Sequence, residues 1–219
     1  MKNPIIFCDF DGTITKSDNI ISIMQHFAPP EWEKVKDDIL NQKVSIQEGV
    51  TTLFSLLPSS KRKEITDFIS HSAEIREGFG QFITFVNNSG IKLYIVSGGI
   101  DFFVLPLLNG YVDKEIVFCN ESDFTGENIN ILWPHPCDQT CSNNCGCCKP
   151  SLIRRLASNE NDIIVIGDSI TDLQAAKIAD KVIARDFLTE KCKELNINYE
   201  SFETFYDVIE ILNRIEVRA

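Results

Sequence analysis

Ile5-Ile6-Phe7-Cys8-Asp9-Phe10-Asp11-Gly12-Thr13-Ile14-Thr15 decides how the chain is read. Its apolar opening is the pattern of a buried strand. Two carboxylates follow, one residue apart, with a glycine directly after them. Alternate residues of a strand share a face, so Asp9 and Asp11 point the same way if the chain stays extended. Two like charges side by side are unfavourable unless a cation, a proton or hydrogen bonds offset them. Gly12 permits a sharp turn straight afterwards. Read alone, the stretch is a strand running into an ordinary Asp-Gly turn. Only partners elsewhere in the chain give the acids a further meaning.

After Thr15 the pattern is helical. Ser17 suits the cap of a helix beginning at Asp18, and Pro30 suits the first turn of a second. Ser45-x-x-Glu48 is a capping-box pattern, and a fourth helix carries Ile65, Phe68 and Ile69. Residues 17–75 therefore read as short helices with no strand among them. From Gly78 the chain alternates. A helix to Asn88 precedes the strand Ile91–Val96, then Ser97-Gly98-Gly99 and a helix from Asp101. Ile116–Phe118 is a short strand, and Asn120–Trp133 reads as a hairpin around Thr125-Gly126-Glu127-Asn128. A cysteine-dense loop, Pro134–Cys148, leads into a helix after Lys149-Pro150. Asp162–Ile166 is a strand ending in Gly167-Asp168-Ser169, followed by a helix over Thr171–Ala179 and a strand at Val182–Ala184. The remainder reads as mostly helical.

Strands alternating with helices imply an α/β fold, a parallel sheet with helices on both faces and ligands beyond the strands' carboxyl ends. Asp9-x-Asp11-Gly12, Ser97-Gly98-Gly99 and Gly167-Asp168-Ser169-x-x-Asp172 all fall at such ends. Asp9, Asp11, Asp168 and Asp172 together could share a site only around a hard divalent cation. Ser97 and the following glycines offer a hydroxyl and backbone N–H groups next to a helix start, and Lys149 a point charge. This set suits phosphoryl transfer, where positioning and charge neutralisation do most of the work. A carboxylate can attack phosphorus, and a second one nearby can move the protons.

The chain has 219 residues, 43% of them hydrophobic and 24% charged, with a net charge of -11. That fits one large domain or a core carrying a smaller insert. An acidic surface disfavours nucleic acid and anionic membranes as partners. The N-terminus leads directly into the first strand, so a cytoplasmic protein with reduced thiols is expected. An apolar edge on the helical segment could pair two copies as a homodimer.

Four pieces, Asp9-Phe10-Asp11-Gly12-Thr13, Val96-Ser97-Gly98-Gly99, Lys149-Pro150 and Ile166-Gly167-Asp168-Ser169-Ile170-Thr171-Asp172, resemble the haloacid dehalogenase superfamily of phosphatases in order and spacing. The resemblance spans residues 5–185. It implies a Rossmann-like core over 1–15 and 77–219, with residues 16–76 as a small helical cap domain. It implies Asp9 as nucleophile and Asp11 as general acid and base. Ser97, Gly98 and Lys149 would bind the phosphate of a small phosphorylated metabolite. Mg²⁺ would be held by Asp9, the backbone carbonyl of Asp11, and Asp168, with Asp172 orienting the metal's waters or Lys149. Further stretches, among them Phe27-Ala28-Pro29-Pro30-Glu31-Trp32, Ile75-Arg76-Glu77-Gly78-Phe79 and Trp133-Pro134-His135, look like a branch of the superfamily acting on a methylthio enol phosphate in methionine salvage.

Two other functions stay open at this stage. One is the same chemistry on another small phosphomonoester, such as phosphoserine. The other is a metal-binding interaction protein working through its cysteine loop. Cys137, Cys141, Cys145, Cys147 and Cys148 could supply a structural Zn²⁺ site, though the spacing lacks paired C-x-x-C knuckles. Packed reduced thiols or a disulfide are the alternatives. Asp18 reads as a helix start. Met24, Phe27, Trp32 and Phe54 read first as core of the helical segment, and His26, His71 and His135 as surface or packing residues.

Overall fold

The computed structural model describes residues 2–216. Seven strands form one sheet: β1 (Asn3–Cys8), β2 (Lys92–Ile100), β3 (Val117–Asp123), β4 (Asn130–Leu132), β5 (Asn161–Gly167), β6 (Lys181–Ala184) and β7 (Glu200–Ser201). Their order is β4-β3-β2-β1-β5-β6-β7, with every neighbour parallel except the β3–β4 hairpin. The helices are α1 (Asn19–Phe27), α2 (Trp32–Leu40), α3 (Ile46–Ser55), α4 (Arg62–Ser72), α5 (Phe79–Ser89), α6 (Asp101–Leu108), α7 (Lys149–Leu156), α8 (Leu173–Ala176), α9 (Asp186–Glu194) and α10 (Phe205–Glu216).

Strand β1 is central because both of its faces are apolar. Ile6 and Cys8 face a core that includes Phe79, Phe82, Phe202 and Phe205. Ile5 and Phe7 face the other side, against Leu152, Ile153 and Val165. Ile5, Ile6, Phe7 and Cys8 are at most 3% exposed. Burying a large apolar side chain stabilises by about 1.5–3 kcal/mol, so this strand is a main anchor of the fold.

The register sets the site. Cys8 lies opposite Ile95 on one side and Ile166 on the other. Asp9, Ser97 and Asp168 therefore lie within about one residue of the same level, with β2 continuing past it to Ile100. The chain leaves and re-enters the sheet region through two antiparallel crossings. Thr15 bridges Ile75, the Lys16 N–H donates to the Glu74 carbonyl, and the Arg76 N–H donates to the Ile14 carbonyl. Helices α1–α4 lie between these crossings.

Three local expectations change. Asp18, not Ser17, caps α1: its carboxylate accepts the Ile21 N–H, and the helix starts at Asn19. Ser97-Gly98-Gly99 is not a loop before a helix. Strand β2 runs on to Ile100, with its register against β3 shifting between Val96 and Ile100. The helix expected over Thr171–Ala179 is a short 3-10 turn at Ile170–Asp172 followed by the four-residue α8. The capping box of Ser45 and Glu48 is present as expected, and Asn120–Trp133 does contain a hairpin strand pair.

Candidate active site

Asp9 follows the last residue of β1, and its N–H still donates to the Ile166 carbonyl at 2.9 Å. The chain then curls: the N–H groups of Ile14 and Thr15 both donate to the Phe10 carbonyl. Gly12 sits at φ 81°, in the left-handed region, and a Cβ there would run into the Asp168 carboxylate. Glycine is thus required both for the turn and for the close approach. Because the strand stops at Cys8, Asp9 and Asp11 do not share an extended face. Their carboxylates serve two adjoining groups.

The first group is Asp9, Lys149, Asp168 and Asp172. Lys149 opens α7 and is 6% exposed. Its ammonium pairs with both Asp9 and Asp172. Asp172 Oδ2 accepts the backbone N–H of Asp168 at 3.2 Å and that of Ser169 at 3.1 Å. Asp168 Oδ1 accepts the Thr13 hydroxyl at 2.8 Å. Asp9, Asp168 and Asp172 each place a carboxylate oxygen within 4.8 Å of the others.

Burial and the neighbouring charges together set the titration of this group. Burial, and then the Asp172 charge, push the Asp9 carboxyl well above the usual range, against the pull of Lys149. Burial and Asp172 raise Asp168 to about 6. Burial opposes the charge on Lys149, but Asp172 and Asp9 together outweigh it and hold its pKa above that of an ordinary lysine. One cation is therefore shared by a surplus of buried carboxylates, an arrangement that favours a further positive charge.

The second group surrounds Asp11. Its Oδ1 accepts the Asn19 backbone N–H at 3.1 Å and the Asn19 side-chain amide at 2.7 Å. Its Oδ2 lies 3.5 Å from the Ser97 hydroxyl. Burial, and then the charges of Asp18 and Asp9, raise the Asp11 carboxyl to about 8. A carboxyl raised in this way suits a group that gives up a proton near neutral pH. The fully buried Ser97 hydroxyl also accepts the Gly99 N–H at 2.9 Å. The Gly98 carbonyl accepts the Asn120 amide at 2.8 Å.

All the residues singled out by sequence thus lie at one sheet edge, but with different surroundings. The Asp172 oxygens accept from Lys149 and from the backbone N–H groups of Asp168 and Ser169. The Asp11 carboxylate stands apart from the other three. Two participants were not singled out. Asn19 is the buried donor to Asp11. Arg76, 6% exposed, donates from Nε to the Thr13 carbonyl and from Nη2 to the Gly12 carbonyl, both at 2.7 Å, and so fixes the loop after β1. Asn19 carries no local mark, whereas Arg76 lies in the stretch Ile75-Arg76-Glu77-Gly78-Phe79 noted for its resemblance, from which no role was read. A cleft between α1 and α4 starts at Asn19 and is lined further on by Ser22, Gln25, His26 and Phe68. Met24, Trp32 and Phe54 are buried core, as their pattern suggested.

Known proteins share this architecture. The chain is 60% identical over 218 residues to 2-hydroxy-3-keto-5-methylthiopentenyl-1-phosphate phosphatase of Geobacillus thermodenitrificans, covering 100% of this chain and 99% of that protein. It is 59% identical over 214 residues to the protein of the same name from Bacillus thuringiensis, covering 97% and 98%. Among solved structures, a phosphoserine phosphohydrolase-like protein from Francisella tularensis superposes with a TM-score of 0.68 at 21% identity, covering 96% of this chain and 99% of that one. A substrate-bound phosphoserine phosphatase gives 0.67 at 18% identity, over 96% and 99%. These two likenesses show the fold. Residues 6–177 match the model of the haloacid dehalogenase-like hydrolases, and with relatives of this identity over its whole length the chain belongs to that family.

Proposed function

We propose that the chain is a phosphatase that hydrolyses 2-hydroxy-3-keto-5-methylthiopentenyl-1-phosphate to 1,2-dihydroxy-3-keto-5-methylthiopentene and inorganic phosphate, in methionine salvage. The observation that carries the chemistry is the pairing of Asp9 with Lys149 beside an Asp11 held separately by Asn19. An Asp9 oxygen attacks phosphorus, and the bond from phosphorus to the substrate's enol oxygen breaks. Asp11 gives its proton to that oxygen. Asp11 then takes a proton from water as the water attacks the phosphoaspartate, releasing phosphate and restoring Asp9. Lys149 balances the charge on Asp9 and on the phosphoryl oxygens, and Asp172 holds Lys149 in place. Ser97 and Gly98 are placed to meet the phosphoryl group.

The donor set fits Mg²⁺. The second oxygens of Asp9 and Asp168 take no lysine, hydroxyl or backbone N–H donor among the described residues, and hard carboxylate oxygens suit this ion. Asp9, Asp168 and the backbone carbonyl of Asp11 would hold it. When bound, Mg²⁺ would neutralise charge on the transferring phosphoryl group.

Residues 16–76 act in this reading as a cap over a core formed by 1–15 and 77–219. The two crossings at Thr15 and Ile75 are the places where such a segment could hinge. The cleft beginning at Asn19 supports the substrate choice. His26 stacks on Phe68 with ring centroids 4.3 Å apart, an aromatic pair on which a methylthio tail could lie in a cleft otherwise lined largely by serine, asparagine and glutamine side chains. No lysine or arginine lines it, so it lacks the permanently charged partner that an amino-acid carboxylate would favour. The test is phosphate release with Mg²⁺ from the enol phosphate and from phosphoserine. A kcat/KM strongly favouring the enol phosphate is expected. Preference for phosphoserine would overturn the substrate assignment while leaving the phosphatase chemistry.

A further inference from the structure

Of the eight cysteines, Cys8, Cys119 and Cys192 are buried in apolar surroundings. Cys147 is buried too, and its thiol is turned to the Phe118 carbonyl. The remaining four converge: Cys137, Cys141, Cys145 and Cys148 place their sulfurs within 4.8 Å of one another. The Cys141 and Cys145 sulfurs are 3.8 Å apart. A tetrahedral Zn²⁺ with bonds of about 2.3 Å to sulfur requires sulfur–sulfur edges of about 3.8 Å. We propose that Cys137, Cys141, Cys145 and Cys148 form a closed, structural Zn²⁺ site that pins the loop between β4 and α7.

The surroundings are built for thiolates. The Cys145 N–H donates to the Cys137 sulfur at 3.4 Å, and the Ser151 hydroxyl donates to the Cys148 sulfur at 3.0 Å. Such outer donors orient metal ligands and spread their charge. Gly146, at φ 79°, lets the chain turn between the third and fourth ligands, and Trp133 fills the space a side chain there would need. On the outer side, Asp138 is clamped by Arg154 through two bonds of 2.7 Å. Four soft thiolates in this shape select Zn²⁺ over the hard cation expected at the carboxylates.

The loop also has a reason to be pinned. It has no helix or strand between Leu132 and Lys149, a long irregular stretch for a compact fold. Cys148 is the residue before Lys149, so a bond from its sulfur fixes the backbone that carries the lysine. At the far side of the loop, the Asn144 carbonyl accepts the Gln47 N–H of α3 at 3.1 Å. One ion would thus hold both the active-site lysine and the seat of a helix from the overlying segment.

The proposal is independent of the phosphatase reading and is tested without substrate. The full chain, purified without chelator, is analysed for metals by mass spectrometry and its thiols are titrated in denaturant before and after reduction. Stoichiometric zinc, lost in Cys141→Ser and kept in Cys147→Ala, is expected. If Cys141→Ser does not fold, the wild-type chain reconstituted with Co²⁺ gives the same answer, through the charge-transfer and visible bands of tetrahedral cobalt thiolate. Zinc-free protein with all thiols titrating, two thiols recovered only after reduction, iron in place of zinc, or no cobalt thiolate bands would each overturn it.

Discussion

Asn19 donates its side-chain amide to Asp11 Oδ1 at 2.7 Å, which ties the proposed acid to the first residue of α1. The same Asn19 amide also reaches the Thr15 hydroxyl at 3.2 Å, beside the crossing into the helical segment. The group that handles the protons is therefore held from the segment proposed to close over the substrate.

Replacing Asn19 by alanine removes its side-chain hydrogen bond to the Asp11 carboxyl, worth about 0.5–1.5 kcal/mol for an uncharged acceptor, and keeps the backbone one. A loss of roughly two- to tenfold in kcat is expected, with a smaller change in KM. Steady-state kinetics check it. Wild-type kcat in Asn19→Ala would mean that Asp11 is placed without help from α1.

Arg76→Met leaves the Gly12 and Thr13 carbonyls without their partner in a buried place. Each unpaired buried group costs about 1–3 kcal/mol, so a total loss of roughly 2–6 kcal/mol is expected in urea unfolding. Because Arg76 fixes the loop that carries Asp11, activity should fall even under conditions where the variant is fully folded. A variant with unchanged midpoint would show that the loop stands on its own.

Mg²⁺ binding to the folded state should raise stability by about 2.7 kcal/mol at a hundredfold excess over Kd. The wild-type Tm should therefore rise with Mg²⁺ concentration, and the rise should vanish in Asp168→Asn. An equal shift in both proteins would place the ion elsewhere.

The parts of the fold that were legible in the sequence are those where periodicity and chemistry agree. Ile5–Cys8 is apolar at every position because both faces of β1 are covered, and the signatures at Asp9 and Asp168 follow directly on the ends of β1 and β5. The capping box at Ser45 and Glu48 was legible for the same reason. Elsewhere local signals conflict with tertiary ones. Ser97-Gly98-Gly99 looks like a turn because glycine is a weak strand former, yet the pairing of Ile100 with Asn120 draws β2 onward. Ser17 and Asp18 are both good caps, and only the path of the chain past Thr15 chooses between them. Asn19 and Arg76 are single polar residues whose partners come from other turns of the chain, so no spacing rule exposes them. The cysteines lack a familiar ligand spacing, and it is the curl of the loop at Asn144 and Gly146 that gathers four of the five.

The most direct measurement is phosphate release by Asp9→Asn with Mg²⁺ and the enol phosphate, with circular dichroism to verify the fold. Removing the nucleophile should lower turnover by roughly four orders of magnitude while the spectrum stays that of the wild type. A folded Asp9→Asn protein releasing phosphate at the wild-type rate would contradict the aspartyl-phosphate mechanism.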